Sequence, residues 1–553
     1  MGLELNGTEH AHKRALLKAI GITEDELSKP LIAIICNNSS MANGSHISNI
    51  LEAVKTGISN KGGVPIVMPC TNIVEEFTAG GEGAKYAMPS RELIADSVES
   101  ILNAHSFDGA VFVPSGDIAA AGMMLGCVRV NIPSVFVSGG FMASSKVKSS
   151  NANFASIISG QAKVKQGELD LSNFEALENQ ACAQSGAASP TFIHIAMDCF
   201  LEALGLALAG NGTIPACSPD RIRLAKESGA SLLKLITNDI TPRMIATKDA
   251  ITNALAVDFS VGTTTSTMLH ALALITELDI PKFNLDFIME KIASKIPTLF
   301  ALSPTCKFDN SDFYSAGGIM AVLNELNNTG LIAGSALSVT NHAISKSFSK
   351  YNIANSDVIK TTSSSIFPTS SLMMPNGNIA QECAFTRKKQ DTKFPTSLVG
   401  KAKVFNSEED AIASINAGSV QKGSVVVIRY EGPKGGPGMR EMVAPIIAAA
   451  SLGLENDVAF ITDGRFSQTF NTLTVDCISP EAHERGKIAL IEDGDKITID
   501  LSKNKLDVDI NAKDLKMREK KMRTKDTSPT GQLLRYRFLT TNAENGLAYR
   551  KKF

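Results

Sequence analysis

Residues 431–438 pack four glycines and two prolines into eight positions, and Arg440 and Glu441 follow directly. Such a run forms neither helix nor regular strand, because proline removes a backbone donor and glycine weakens a helix. Its backbone can approach a ligand closely, since glycine carries no Cβ. Residues 425–428 ahead of it are apolar and β-branched and read as a buried strand, and residues 443–454 behind it read as an apolar helix. A charged pair between that loop and that helix is placed to hold a cation or an anionic substrate. A tight surface turn is the alternative reading. Further acids sit in short turns: Glu75, Glu76 and Glu82 in a glycine-bearing loop over 71–86, and Asp117 in the turn Ser115-Gly116-Asp117. The hydroxyl run 262–267 (GTTTST) stands ahead of a helix, as an N-cap and turn or as a carboxylate cradle. The apolar helix predicted over 191–208 offers its amino end to an anion.

The elements that must position these groups alternate. Strand 28–36, helix 46–58, strand 62–68, helix 88–102, strand 108–114, helix 118–128 and strand 132–137 follow one another with short links. That order predicts parallel βαβ units. Loops bearing Asn43, Asp117 and Gly139 then gather along one sheet edge, where open α/β sheets place ligands. Around 361–381 the texture becomes turn-rich, and Arg387, Lys388, Lys389 and Lys393 read as a polar linker. Beyond it, strands are predicted over 402–405, 424–428, 458–461, 488–491, 496–500 and 506–510. The fold class expected is α/β: a parallel-sheet domain over 1–385 and a smaller β-rich, barrel-like domain over 386–553.

Composition narrows the function classes. The 553 residues are 44% apolar and 20% charged, which is globular. A net charge of −2 gives no electrostatic case for nucleic acid or an acidic membrane surface. No apolar run is long enough to cross a bilayer. The polar amino terminus lacks the apolar core of a secretory signal, so a cytoplasmic protein with reduced thiols is expected. The nine cysteines form no C-x-x-C pair and read as core thiols.

Several blocks together resemble the dihydroxy-acid dehydratase and 6-phosphogluconate dehydratase family. They include 428–442 (IRYEGPKGGPGMREM), 461–467 (ITDGRFS), 479–482 (SPEA), 491–495 (IEDGD), 89–97 (PSRELIADS), 131–140 (NIPSVFVSGG) and 202–206 (EALGL). The resemblance runs from about residue 29 to the carboxy terminus. It implies an α/β domain, a smaller barrel-like domain, an active site between them, and a homodimer or homotetramer. The implied chemistry is loss of water from a 2,3-dihydroxy acid to give a 2-oxo acid, as in branched-chain amino acid synthesis or sugar-acid breakdown. In the family Mg²⁺, held by acids and a carbamylated lysine, acidifies the C2 proton, a serine removes it, and an iron–sulfur cluster on three cysteines binds the leaving hydroxyl.

Carried over residue by residue, the resemblance makes Ser467 the base and Asp117 and Glu441 metal acids. Glu75 or Glu76 stands near the third acid, and Glu75 is taken as the ligand. The cluster positions fall at Gly44, Gly116 and Ala188, and the lysine position at Ile118, so no thiolate stands where iron would bind. Ser185 replaces a further cysteine of that stretch, and 468–472 adds bulk beside Ser467. The reading is of a degenerate member lacking iron–sulfur chemistry, with a small hydroxy-acid or sugar-acid ligand and Mg²⁺ as the metal. The alternatives are a Mg²⁺-dependent, cluster-free lyase or epimerase, for which Glu82 is a candidate acid, and a non-catalytic partner of an active dehydratase.

Overall fold

Leu31–Cys36 (β1) is buried at every position, as a run of Leu, Ile and Ala with a strand on either side must be. It pairs in parallel with Val64–Pro69 (β2) and with Gly109–Val113 (β3), and β3 pairs in parallel with Ser134–Phe136 (β4). The four-stranded sheet therefore has the order β2-β1-β3-β4. Its crossovers are the helices Ile47–Ser59 (α1), Ala87–His105 (α2) and Asp117–Val130 (α3), close to their predicted bounds. The computed structural model describes residues 5–147, 150–188, 195–262, 264–300, 308–389, 395–467, 471–525 and 527–551.

The second sheet has eight strands: Leu372–Met373 (β5), Cys383–Arg387 (β6), Ser397–Phe405 (β7), Ser424–Ile428 (β8), Ala459–Thr462 (β9), Leu473–Ser479 (β10), Lys496–Asp500 (β11) and Lys505–Asp509 (β12). Their order is β12-β11-β7-β8-β9-β10-β6-β5. The four central strands run parallel, and the flanking pairs are antiparallel. The sheet curls until Asn376, three residues beyond β5, bridges Lys505 of the opposite edge. This is a mixed sheet with helices Glu408–Asn416 and Ala444–Ser451 packed together over it, not a pure β-barrel. Residues 385 and 386 are consecutive in β6, so the strand that meets β10 straddles the expected domain junction.

Three local expectations change. The segment expected as a strand at 488–491 is a 3₁₀ turn, Lys487–Leu490. The long loop over 71–86 contains a short helix, Glu75–Thr78, and a 3₁₀ turn, Glu82–Tyr86. Acids in the first turn of each suit the positive end of a helix. Arg387, expected in a polar linker, is buried and donates to Gly262 O at 3.0 Å. Among the described residues no helix is long and apolar enough to cross a membrane.

The two sheets share one apolar core, in which Cys383, Phe385, Met439 and Cys477 pack with the amino-terminal helices. At this junction Gly438 has φ +103°, and a Cβ there would lie 1.7 Å from Lys85 O. Gly438→Ala therefore meets both backbone strain and a carbonyl that cannot move alone. The variant is expected to lose more than about 2 kcal/mol of stability, read by urea denaturation.

Candidate functional site

The glycine–proline loop is buried along 431–440, so the surface-turn reading fails. Its peptide groups have no strand to pair with, and two carboxylates take them instead. Asp463 accepts from Tyr430 N and Glu431 N, each at 3.0 Å, and from Ala482 N at 2.9 Å. Glu481 accepts from Lys434 N at 3.0 Å and Gly435 N at 2.8 Å. Arg440 leaves the loop into an acid shell: Glu431 at 2.8 Å, Glu408 at 2.9 Å, Glu409 at 2.7 Å and Glu82 at 3.3 Å. Arg440 therefore holds structure, and the adjacent Glu441 is the residue left facing the ligand side.

Glu441 and Ser467 reach one place through a short parallel pairing. Glu441 sits opposite Arg465 and Met442 opposite Phe466, and Ser467 N donates to Met442 O at 2.9 Å. Arg465 is buried. It donates to Met439 O at 3.0 Å and Ser266 Oγ at 2.6 Å, with Glu441 Oε2 3.7 Å away. Asp476 accepts from Phe466 N and from the Thr265 hydroxyl, both at 3.3 Å. The hydroxyl run thus does separate jobs. Thr264 caps the helix Thr265–Leu278 by accepting from Thr267 N, while Thr265 and Ser266 steady Asp476 and Arg465. Thr263 lies outside the described residues, as does the first part of the segment expected to offer a helix end to an anion near 191.

A cavity of about 50 Å³, the space of roughly four waters, opens between these groups. Glu75, Glu76, Glu441, Arg465 and Ser467 form its polar side, and Phe154, Ile158 and Val443 part of its apolar side. Glu75 and Glu76 come from the short helix that sequence reading takes as loop. Glu75 Oε1 accepts from Ile118 N at 3.2 Å, and Glu76 Oε1 accepts from Ala188 N at 3.0 Å. Asp117, expected as a metal acid, does not line the cavity. It is buried behind the rim, and its Oδ1 accepts from Met197 N at 3.0 Å. Glu82, expected as an acid, is tied to Lys85 at 2.8 Å and to Arg440.

The sequence assigns no role to Arg465 or Asp476, and Ser266 enters only as part of the hydroxyl run 262–267. Asp476 carries a signal, an acid between the apolar residues Val475 and Cys477 of a strand.

The two groups implied by the resemblance fare differently. Gly44, Gly116 and Ala188 present no donor atom to iron. A side chain at 44 has no room either, because its Cβ would lie 2.5 Å from Ser39 Oγ and 2.7 Å from Ser39 N. The residues do not fit an iron–sulfur cluster. Mg²⁺ fits better: Glu75 and Glu441 turn hard oxygens toward one cavity, and with Glu76 they outnumber its single described cation, Arg465. Mg²⁺ keeps most of its water and needs only one or two carboxylates. A closed cage is not formed, since among the described residues no three acid, imidazole or thiol groups gather around one point.

Comparison with known proteins agrees over the whole chain. Residues 29–347 match the family Dihydroxy-acid/6-phosphogluconate dehydratase N-terminal, and residues 357–547 match its C-terminal counterpart. The chain is 39% identical over 546 residues to a dihydroxy-acid dehydratase of Pyrococcus abyssi, covering 99% of this chain and 98% of the relative. It is 40% identical over 550 residues to a dihydroxy-acid dehydratase of Acetivibrio thermocellus, covering 99% of each.

The buried acids give the molecule a pH dependence. Burial pushes Asp476 up to about 7, and burial with Asp463 nearby pushes Glu481 up to about 8. Each holds a proton in the folded state that it releases near pH 4 when unfolded. Their contribution is full below that range and is lost as pH rises through 7 to 8. Glu409, held down to about 2 mainly by its hydrogen bond with Arg440, titrates below this window. The melting temperature is expected to fall between pH 5.5 and 8.5, and Asp476→Asn to flatten that fall, as scanning calorimetry would record.

Proposed function

Because the chain belongs to the dihydroxy-acid/6-phosphogluconate dehydratase family, we propose that it is a cluster-free member that binds a small hydroxy acid or sugar acid beside Ser467 and does not dehydrate it. The observation that carries this reading is the donor set at 44, 116 and 188, where glycine, glycine and alanine leave a departing hydroxyl without an iron to bind it. Without one, a hydroxide is a poor leaving group, and acidity at C2 alone does not complete a dehydration.

The cavity supplies binding. Arg465 is placed to meet the ligand carboxylate with a charge-assisted hydrogen bond. Phe154, Ile158 and Val443 suit an aliphatic or ring-carbon surface. Glu75 and Glu441 would hold Mg²⁺, which when bound offsets the acid wall and polarises the ligand carboxylate. Ser467 and Glu441 orient the ligand from the same short strand pairing that carries Arg465. The protein is expected in the cytoplasm, as a homodimer or homotetramer or paired with an active dehydratase paralogue, which co-purification would reveal.

Anaerobic purification followed by iron and sulfide analysis tests the central statement. The expected protein is colourless, with iron far below one atom per chain, and forms no 2-oxo acid from 2,3-dihydroxy acids. Stoichiometric iron and sulfide with turnover would sink it. In the same preparation Glu441→Gln should weaken Mg²⁺-dependent ligand binding by about tenfold or more, the loss of one charged donor.

A second reading rests on Ser467 and Glu441 sharing one cavity: exchange of the C2 proton, as in an epimerase. Deuterium appearing at C2 of a bound hydroxy acid in D₂O, and vanishing in Ser467→Ala, would establish it. No exchange in the wild type would leave binding as the activity.

A further inference from the structure

Seven basic and three acidic residues fall within 513–526, a local excess of four on a chain of net charge −2. The helix Ala512–Lys521 sorts these charges by side. Arg518 and Met522 turn toward the large sheet. Arg518 donates to Leu490 O at 2.9 Å and to Asp495 Oδ1 at 3.0 Å, and Met522 packs against the sheet's apolar core. On the other side, spacings of three and four residues put Lys513, Lys516 and Lys520 in one row, with Met517 and Lys521 beside it. All four lysines are exposed, Met517 is 44% exposed, and Arg523 and Lys525 continue the exposed charge. Among the described residues the ion pairs of this segment are those of Arg518, with Asp495 and Glu492. Of its described acids, Asp514 is bonded at the helix start by Asn511 Nδ2 at 2.6 Å, and Glu519 lies beside the row rather than in it.

A run of charge is ordinarily a solvated face, but this one is a fixed platform. Arg518 clamps the helix near its carboxy end. Beyond it, Lys525 Nζ donates to Asn406 O at 2.8 Å and the Thr527 hydroxyl to Gly435 O at 3.0 Å. Cations on a backbone already held in place lose less freedom when a partner arrives.

The chemistry of the face narrows its occupant. No aromatic residue stands within 513–525 on which a nucleic-acid base could stack. The helix is ten residues long, or about 15 Å, the reach of about four base pairs of a duplex. Its apolar side is turned into the sheet core, which leaves no wedge for a lipid surface. Lysine ammonium groups act as point charges and suit carboxylates without demanding a fixed angle. A partner helix with carboxylates three and four residues apart would face the row in register and cover Met517 with its edge.

We propose that the exposed lysine row of Ala512–Lys521 is a docking surface for an acidic helical segment of a partner protein. None of its residues lines the ligand cavity, so this surface and the ligand reading stand or fall separately.

Fluorescence anisotropy with a labelled, glutamate-rich helical peptide of about fourteen residues tests it, beside a DNA duplex of about sixteen base pairs and vesicles containing about one-third phosphatidylserine. The peptide should bind, and its affinity should fall by about tenfold or more between 50 and 300 mM salt. Joint Lys513→Glu, Lys516→Glu and Lys520→Glu should weaken it by about tenfold or more, whereas the same reversal at the exposed Lys61, Lys226 and Lys234 of the amino-terminal domain should change it by less than about twofold. Joint replacement of Lys513, Lys516 and Lys520 by Gln, which removes charge without adding any, should also weaken binding and serves if the reversed protein folds poorly. Absence of peptide binding, equal losses at the two sets of lysines, or tighter binding of duplex or vesicles would overturn the proposal. So would sedimentation showing that a second copy of the chain takes the lysine row at low salt.

Discussion

A buried loop without a partner strand has to pair its peptide groups by other means, and the carboxylates of Asp463 and Glu481 do this for the glycine–proline segment. Everything at the ligand side descends from that arrangement. Asp463 follows β9 and Glu481 follows β10, so two of the four central strands of the large sheet fix where the loop runs. The loop then fixes Arg440 in its acid shell, and the next residue, Glu441, can only face Arg465 across the short parallel pairing. A carboxyl group accepting several backbone N–H groups is a rigid anchor, and that rigidity reaches Ser467 through its N–H bond to Met442 O.

The amino-terminal half meets this frame with acids of its own. Glu75 and Glu76 are steadied by backbone N–H groups of residues 118 and 188, which lie far apart in the chain. Those two donors belong to the same turns whose side chains, Gly116 and Ala188, offer no ligand atom. The turns therefore perform a backbone task and carry no side chain of the kind the family resemblance implies there. Ser39 filling the space beside Gly44 is the same situation seen sterically.

Much of this was readable from residues. The strand read over 28–36 is legible because its apolar run is six residues long, and it forms as Leu31–Cys36. The βαβ order followed from the short links between apolar runs, and Glu75, Glu441 and Ser467 do line one cavity. Other features were hidden for identifiable reasons. A four-residue helix at Glu75–Thr78 is too short to show a period, and KIAL is as apolar as a strand while folding as a 3₁₀ turn. Asp117 was taken as a metal acid on the family resemblance alone, and no residue pattern shows that its Oδ1 accepts from Met197 N, distant in sequence. Arg465 and Asp476 matter through partners on another helix, Ser266 and Thr265, and no local pattern reports such pairing.

The bridge between Asn376 and Lys505 has an effect beyond the single chain. One rim of the large sheet would otherwise expose a ladder of open N–H and C=O groups, but Asn376 N donates to Asn504 O and Leu506 N to Asn376 O, while the Asn378 side chain pairs with Val508. The other rim, β5, is only two residues long. Neither border offers a template on which a foreign strand could grow, so assembly by continuing this sheet from one molecule into the next is closed off. Contacts between copies at these two borders would rest on side chains, which can be tuned one residue at a time.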